Sequence, residues 1–276
     1  MSTLTITAAD VNRLRTQTGA GMMDCKKALT EANGDFEAAV DYLRKKGQKV
    51  AANRGDRDAK EGYTIAKVTA DAKSGIIFSL NCETDFVAIN ADFIKFANEI
   101  ADSAVAHKFE TAEALLDSTL GAAKVSDLIL DNVAKIGEKI EIGQYSTIAS
   151  EQVFAYNHPG NRIASIVSFS KNVDVQVGKD VAMQIAAMAP IALDKDSVDT
   201  KTIEREMEIA KDVVRAEGKP EDMVEKIAQG KLAKFFKEST LNNQEFIKDS
   251  KLTVAQYVVQ AGAGAVITGF KRVALS

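Results

Sequence analysis

Proton transfer near neutral pH usually falls to histidine, and this 276-residue chain has only two, His107 and His158. Neither has a sequence neighbour that would make it a base or a metal ligand, and no HExxH is present, so both read as solvated surface residues. Cys25 and Cys82 do not form a CxxC, which argues against a structural zinc site, and two thiols are too few for a disulfide framework. They read as reduced thiols of a cytoplasmic protein. Gly262-Ala263-Gly264 lacks the third glycine of a dinucleotide loop, and GxxxxGK[ST] is absent. Carboxylates abound, but nothing in their spacing pairs them. Catalytic residues, resident metal and cofactor are therefore not expected, and the chain does not read as an enzyme.

Two segments have a more specific character. In Thr18-Gly-Ala-Gly-Met-Met-Asp-Cys-Lys-Lys27 the glycines permit a tight turn and close approach to another surface. Met22 and Met23 point in different directions on a helix, so they divide between a core and an adaptable exposed contact, or both enter the core. The second segment is Asn81-Cys-Glu-Thr-Asp-Phe-Val-Ala-Ile-Asn90. Asp85 can cap a helical turn there, with Phe86 and Val87 packed beneath it. Alternatively, an acid beside a large ring at a turn forms a projecting wedge.

The elements that must carry these segments follow from periodicity. Residues 1–50 read as a three-helix module. Asp10 caps a first helix carrying Val11, Leu14 and Arg15, and a second runs over 22–32 with Met22, Cys25, Lys26 and Leu29 at 3–4 spacing. Asp35 then caps a third over 36–46 whose apolar face is Phe36, Ala39, Val40 and Leu43. Residues 44–60 hold seven basic and two acidic side chains. They read as a solvated linker (51–61 in the domain plan) or as an RNA-contacting arm. From Gly62 the period changes to alternation, predicting a hairpin of strands 63–69 and 75–82, then a helix over 90–106 burying Phe93, Phe96, Ala97, Ile100 and Ala104. Hairpin-then-helix recurs at 153–156, 162–169 and 179–188, around a turn at Asn157-His158-Pro159-Gly160. The fold class is α+β, with core subdomains over 62–146 and 147–276. Within the second, residues 197–239 predict an antiparallel helical hairpin broken at Gly218-Lys219-Pro220, with a coiled-coil-like seam of Ile203, Met207, Ala210 and Val214 facing Val224, Ile227, Ala228, Leu232 and Phe235. This pair is a candidate surface for a second copy of the chain, or folds on itself alone.

Composition bounds the class. The net charge is −4 with 46% hydrophobic residues, an ordinary globular balance and a poor one for non-specific nucleic-acid binding. No apolar run reaches membrane-spanning length, and the start has no basic region leading into an apolar one, as a secretory signal would.

Residues 18–29, the Asn33-Gly34-Asp35 turn, residues 42–47, Thr84-Asp85-Phe86-Val87-Ala88, residues 134–140, the His158 turn and residues 218–236 together resemble the bacterial translation elongation factor Ts family. These are the guanine-nucleotide exchange factors of elongation factor Tu. The resemblance spans essentially the whole chain. It implies an N-terminal ubiquitin-associated-like (UBA-like) three-helix domain, a two-subdomain core and an inserted coiled-coil hairpin. It also implies that the partner is elongation factor Tu, GDP-bound and nucleotide-free, with no direct nucleic-acid or membrane partner. The N-terminal module would dock on the partner's G domain through Arg15, Met22, Met23 and Lys26. Thr84, Asp85, Phe86 and Val87 would press on its nucleotide site and help dislodge Mg²⁺. Ile136 and Gly137 would add contacts, and His158 would face another domain of the partner. Two departures accompany the match: Ile89 stands where the family often has a basic residue, and the chain ends soon after residues 270–273, without the C-terminal helical extension of some members.

Overall fold

A computed structural model describes residues 6–275. The order of elements is α1 (Ala8–Thr18), α2 (Met22–Glu31), α3 (Phe36–Asn53), β1 (Glu61–Val68), β2 (Ser74–Cys82), α4 (Asp85–Ala88), α5 (Ala91–His107), α6 (Ala112–Asp117), β3 (Thr119–Leu120), β4 (Ala123–Lys124), α7 (Val125–Ile136) and β5 (Glu141–Ala149). There follow β6 (Gln152–Asn157), β7 (Ile163–Phe169), α8 (Val175–Met188), a 3-10 turn at Lys195–Ser197, α9 (Thr200–Ala216), α10 (Glu221–Ser239), β8 (Glu245–Phe246), β9 (Asp249–Thr253), α11 (Val254–Ala261) and β10 (Ile267–Ala274). The class is α+β, with three-stranded sheets ordered β1-β2-β5 and β10-β7-β6 and two-stranded pairs β3-β4 and β8-β9. Among the described residues no helix is long and apolar enough to cross a membrane.

The chain forms two compact units that do not follow sequence order. One takes the described residues through Ile65, then Phe78–Ser146 and the chain from Ala274; the other takes Ala66–Ile77 and Thr147–Val273.

In the first unit, α1, α2 and α3 enclose a small core of Val11, Leu14, Cys25, Ala28, Leu29, Ala39 and Leu43. Asp10 does not cap α1. Thr7 is the cap, its hydroxyl accepting from the Asp10 amide, and Asp10, three residues on, accepts from the Thr7 amide through its carboxylate in a reciprocal capping box. Asp35 does cap α3, its carboxylate accepting from the Ala38 amide at 3.0 Å. That helix continues past the expected Lys46 to Asn53, so the basic stretch is half helical. Gly47, a poor helix former, survives mid-helix because its bare Cα faces α7, where a Cβ would lie 2.8 Å from the Ala134 Cβ. Helix α5, capped by Asn90, buries Phe93, Phe96, Ala97, Ile100 and Ala104 as its spacing predicts. Helix α7 buries Val125, Ile129 and Val133 one turn apart.

In the second unit, β6 and β7 pair antiparallel, with Phe154 opposite Val167 and Asn157 opposite Ala164. Helix α8 starts at Val175, four residues earlier than its apolar spacing suggests, because Asp174 supplies a cap to the Gln176 amide at 2.7 Å. Gly178 lies against the Phe154 ring, where a Cβ would come within 2.1 Å. The Asn157 side chain ties residue 66 into this unit: its Oδ1 accepts from the Ala66 amide at 2.7 Å and its Nδ2 donates to the Ala66 carbonyl at 2.9 Å. Helices α9 and α10 run back along each other, with Ala210, Val214, Val224 and Ala228 buried between flanking ion pairs such as Lys211–Glu225 and Lys231–Glu217.

Candidate functional site

Strand β2 ends at Cys82, and the chain then turns through Glu83 and Thr84 into the single helical turn α4. The cap of that turn is Thr84 rather than Asp85; its hydroxyl accepts from the Val87 amide at 3.5 Å. Asp85 is thereby free of capping duty and lies exposed. Phe86 does not pack beneath the turn: 78% of its surface is open to solvent, with Ile89 beside it at 73%. Val87 is half-buried, and Ala88 is the residue of α4 that enters the core. A fully formed aromatic side chain thus stands clear of the protein on backbone that is firmly held.

What holds it is a pair of carboxylates. Glu138 Oε2 accepts from the amides of Glu83 (3.1 Å) and Thr84 (3.0 Å), and its Oε1 accepts from the Thr84 hydroxyl at 2.7 Å. In return, the Glu83 carboxylate accepts from the Lys139 amide at 2.6 Å and from Arg54 Nη1 at 2.8 and 2.7 Å. Burial alone would raise the Glu83 pKa; the Lys139 amide and the Arg54 guanidinium outweigh it and hold the carboxyl below its ordinary range. The Cys82 thiol donates to the Thr84 carbonyl at 3.2 Å. Burial, aided by the Glu138 charge, pushes its pKa up to about 12, so it is a packing group and not a nucleophile.

Ile136 and Gly137 end α7, immediately before Glu138. Gly137 has φ 82° and open space where a Cβ would be. The Lys135 side chain, from the last turn of α7, runs beside Gly19, where a Cβ would come within 3.2 Å of it, so the end of α7 also supports the α1–α2 turn. Beyond that turn Met22 and Met23 are both exposed, at 52% and 74%, and neither belongs to the bundle core. Cys25, Ala28 and Leu29 fill that role. Arg15 and Lys26 are exposed as well. Within the first unit the end of α7 therefore meets the α1–α2 turn through Lys135 and the Thr84 turn through Glu138. His158 lies in the other unit, exposed in the β6–β7 turn, with its Nδ1 3.0 Å from the Tyr156 hydroxyl. Among the described residues no cluster of His, Cys, Asp or Glu could hold a metal ion.

The sequence reading passed over Glu138, Glu83 and Arg54. Glu138 falls just after the glycine that ends a helix and serves no apolar face, which is the one local sign of its role.

The family model described as Elongation factor TS matches residues 83–276. The chain belongs to the elongation factor Ts family. It is 53% identical over 273 residues to the Elongation factor Ts of Flavobacterium psychrophilum, covering 98% of this chain and 99% of that one. It is also 53% identical to that of Christiangramia forsetii, covering 98% of both chains, and 50% identical to that of Cytophaga hutchinsonii, covering 99% of both. As a member of this family it is a nucleotide exchange factor for elongation factor Tu in translation elongation.

Proposed function

We propose that Thr84–Val87 is the element that loosens GDP, and that the exposed face of α2 is the element that docks. The supporting observation is Phe86, which keeps 78% of its surface in solvent although burial would favour it strongly. Inserting such a ring into a partner is worth roughly 1.5–3 kcal/mol. That is enough to make it a hot spot when the turn beneath it is already ordered. Bound Mg²⁺ neutralises GDP phosphate charge and demands a near-octahedral shell, so a small displacement of its surroundings by Phe86, with the Asp85 carboxylate alongside, weakens GDP. No covalent chemistry is required. A protein that prefers nucleotide-free elongation factor Tu must lower GDP affinity by the same factor, which makes this chain an exchange factor and not an enzyme.

Met22 and Met23 supply polarizable, adaptable contact area for docking, flanked by Arg15 and Lys26. Ile136 and Gly137 extend the contact made by the Thr84–Val87 turn, and His158 serves a second domain of the partner. We read α1–α3 as the UBA-like domain, α9 and α10 as a short antiparallel coiled coil, and the protein as cytoplasmic. An RNA-binding role for residues 44–60 has less support, because Lys46 pairs with Asp24, Arg54 with Glu83 and Lys60 with Asp58.

The test is release of fluorescent GDP from elongation factor Tu as a function of factor concentration. Phe86→Ala is expected to lower the maximal stimulated rate about tenfold or more. Met22→Ala with Met23→Ala is expected to raise the concentration needed for half-maximal stimulation and to spare the maximal rate. Full stimulation by Phe86→Ala would refute the role of the ring.

A further inference from the structure

Phe86 has little packing of its own to aim it, since 78% of its surface is solvated. Its direction is inherited from α4, a four-residue helix too short to persist unaided. The hydrogen bonds at the start of α4 therefore decide where the ring points. Thr84 caps that turn only while its hydroxyl proton is directed elsewhere, leaving an oxygen lone pair for the Val87 amide. The group that takes the proton is Glu138 Oε1 at 2.7 Å, and Oε2 of the same carboxylate takes the two preceding amides. Glu83 answers in the reverse direction, binding the Lys139 amide and Arg54, the residue that closes α3. Residues 83–84 and 138–139 thus clasp each other reciprocally, and Gly137, in the left-handed region at the end of α7, sets where Glu138 begins.

We propose that Glu138 is a positioning residue for nucleotide exchange: its carboxylate locks the Thr84 cap and thereby presents Phe86 in the orientation that displaces the partner's magnesium surroundings. This rests on the role of Phe86 proposed above. Glu138 itself stays within this chain and acts through Thr84. Without it the ring is still there, and the turn must be ordered at the moment of insertion, a cost charged against the strained complex.

Stopped-flow release of fluorescent GDP from elongation factor Tu, at saturating full-length factor, tests this with Glu138→Ala, Glu138→Gln, Phe86→Ala and the double variant Glu138→Ala/Phe86→Ala. Glu138→Ala is expected to reduce the maximal rate about tenfold. Glu138→Gln, which keeps one acceptor oxygen and replaces the other by a donor, is expected to fall between it and the unaltered chain and guards against a folding failure of the alanine variant. In the Phe86→Ala background, Glu138→Ala is expected to have no further effect, because a brace has nothing left to aim. Hydrogen exchange on the free factor should show lost protection at the Glu83 and Thr84 amides while the α7 amides keep theirs. Impaired release by Phe86→Ala together with a normal rate for Glu138→Ala, or losses that simply multiply in the double variant, would overturn the positioning role alone. Normal release by Phe86→Ala would overturn the ring's assignment and this inference with it.

Discussion

The clasp around Thr84 is charged, and its strength therefore depends on pH. Glu83 is the member whose pKa lies below the ordinary value of 4.5, and its side chain is only 14% exposed. A carboxylate with a depressed folded-state pKa contributes stability above its unfolded value and loses that contribution as pH falls through the folded one. Glu83→Gln is accordingly expected to cost about 1.5–3 kcal/mol near neutral pH, the range for hydrogen bonds to charged groups. The gap should narrow as the pH falls below the ordinary value and through the lower folded-state one, where the native carboxyl also protonates. Urea denaturation of both proteins across that range checks the sign. At this scale the sequence was partly legible: a turn containing an acid next to a ring stood out. Whether Phe86 lay under or over the turn did not, because its fate depends on Glu138, 54 residues away from Thr84. Local spacing carries no information about such a partner. The methionines failed in the same way. Both sit at positions that a helical wheel allows to be buried, and Cys25, Ala28 and Leu29 had already filled the small core.

Helices and strands with clean periods were read close to their observed limits, as with α5 and the β6–β7 pair. The segment from 108 to 149 yielded no elements, although Val125, Ile129 and Val133 carry a helical period in α7. The two-residue strands β3 and β4 and the six-residue α6 before it are too short to show a period of their own. Helix α3 outran its predicted end because a glycine that punctuates most sequences is here a contact with α7. That reading makes opposite predictions for two helical glycines. Gly47→Ala places a Cβ 2.8 Å from Ala134 and 3.0 Å from the Leu130 carbonyl, and is expected to destabilise by about 1–3 kcal/mol by forcing α3 off α7. Gly230→Ala, in α10 with nothing within 4 Å, is expected to stabilise by about 0.5–1 kcal/mol. Thermal denaturation of the two variants distinguishes contact from mere tolerance.

For the protein as a whole, exchange is a matter of free-energy linkage between two ligands of elongation factor Tu. The fold-weakening of GDP binding at saturating factor must equal the fold-weakening of factor binding at saturating GDP. Calorimetric titration around that cycle is expected to give equal ratios for the unaltered chain, and a smaller but still equal pair for Phe86→Ala. The recurrence of hairpin and helix in the sequence suggested contiguous core subdomains over 62–146 and 147–276. The compact units instead draw on separate stretches of chain, which the sequence does not reveal, since a contact between residue 66 and residue 157 leaves no local mark.

The amide-to-carbonyl grip of Asn157 on Ala66 bears on how the chain is made. Residues 66–77 are translated well before the unit they complete, and the Ala66 amide and carbonyl lack their Asn157 partner until residue 157 has cleared the ribosome. Synthesis and folding are therefore out of step by some ninety residues of elongation, and an assistant of the translating ribosome cannot close its own second unit on the schedule in which its residues are joined.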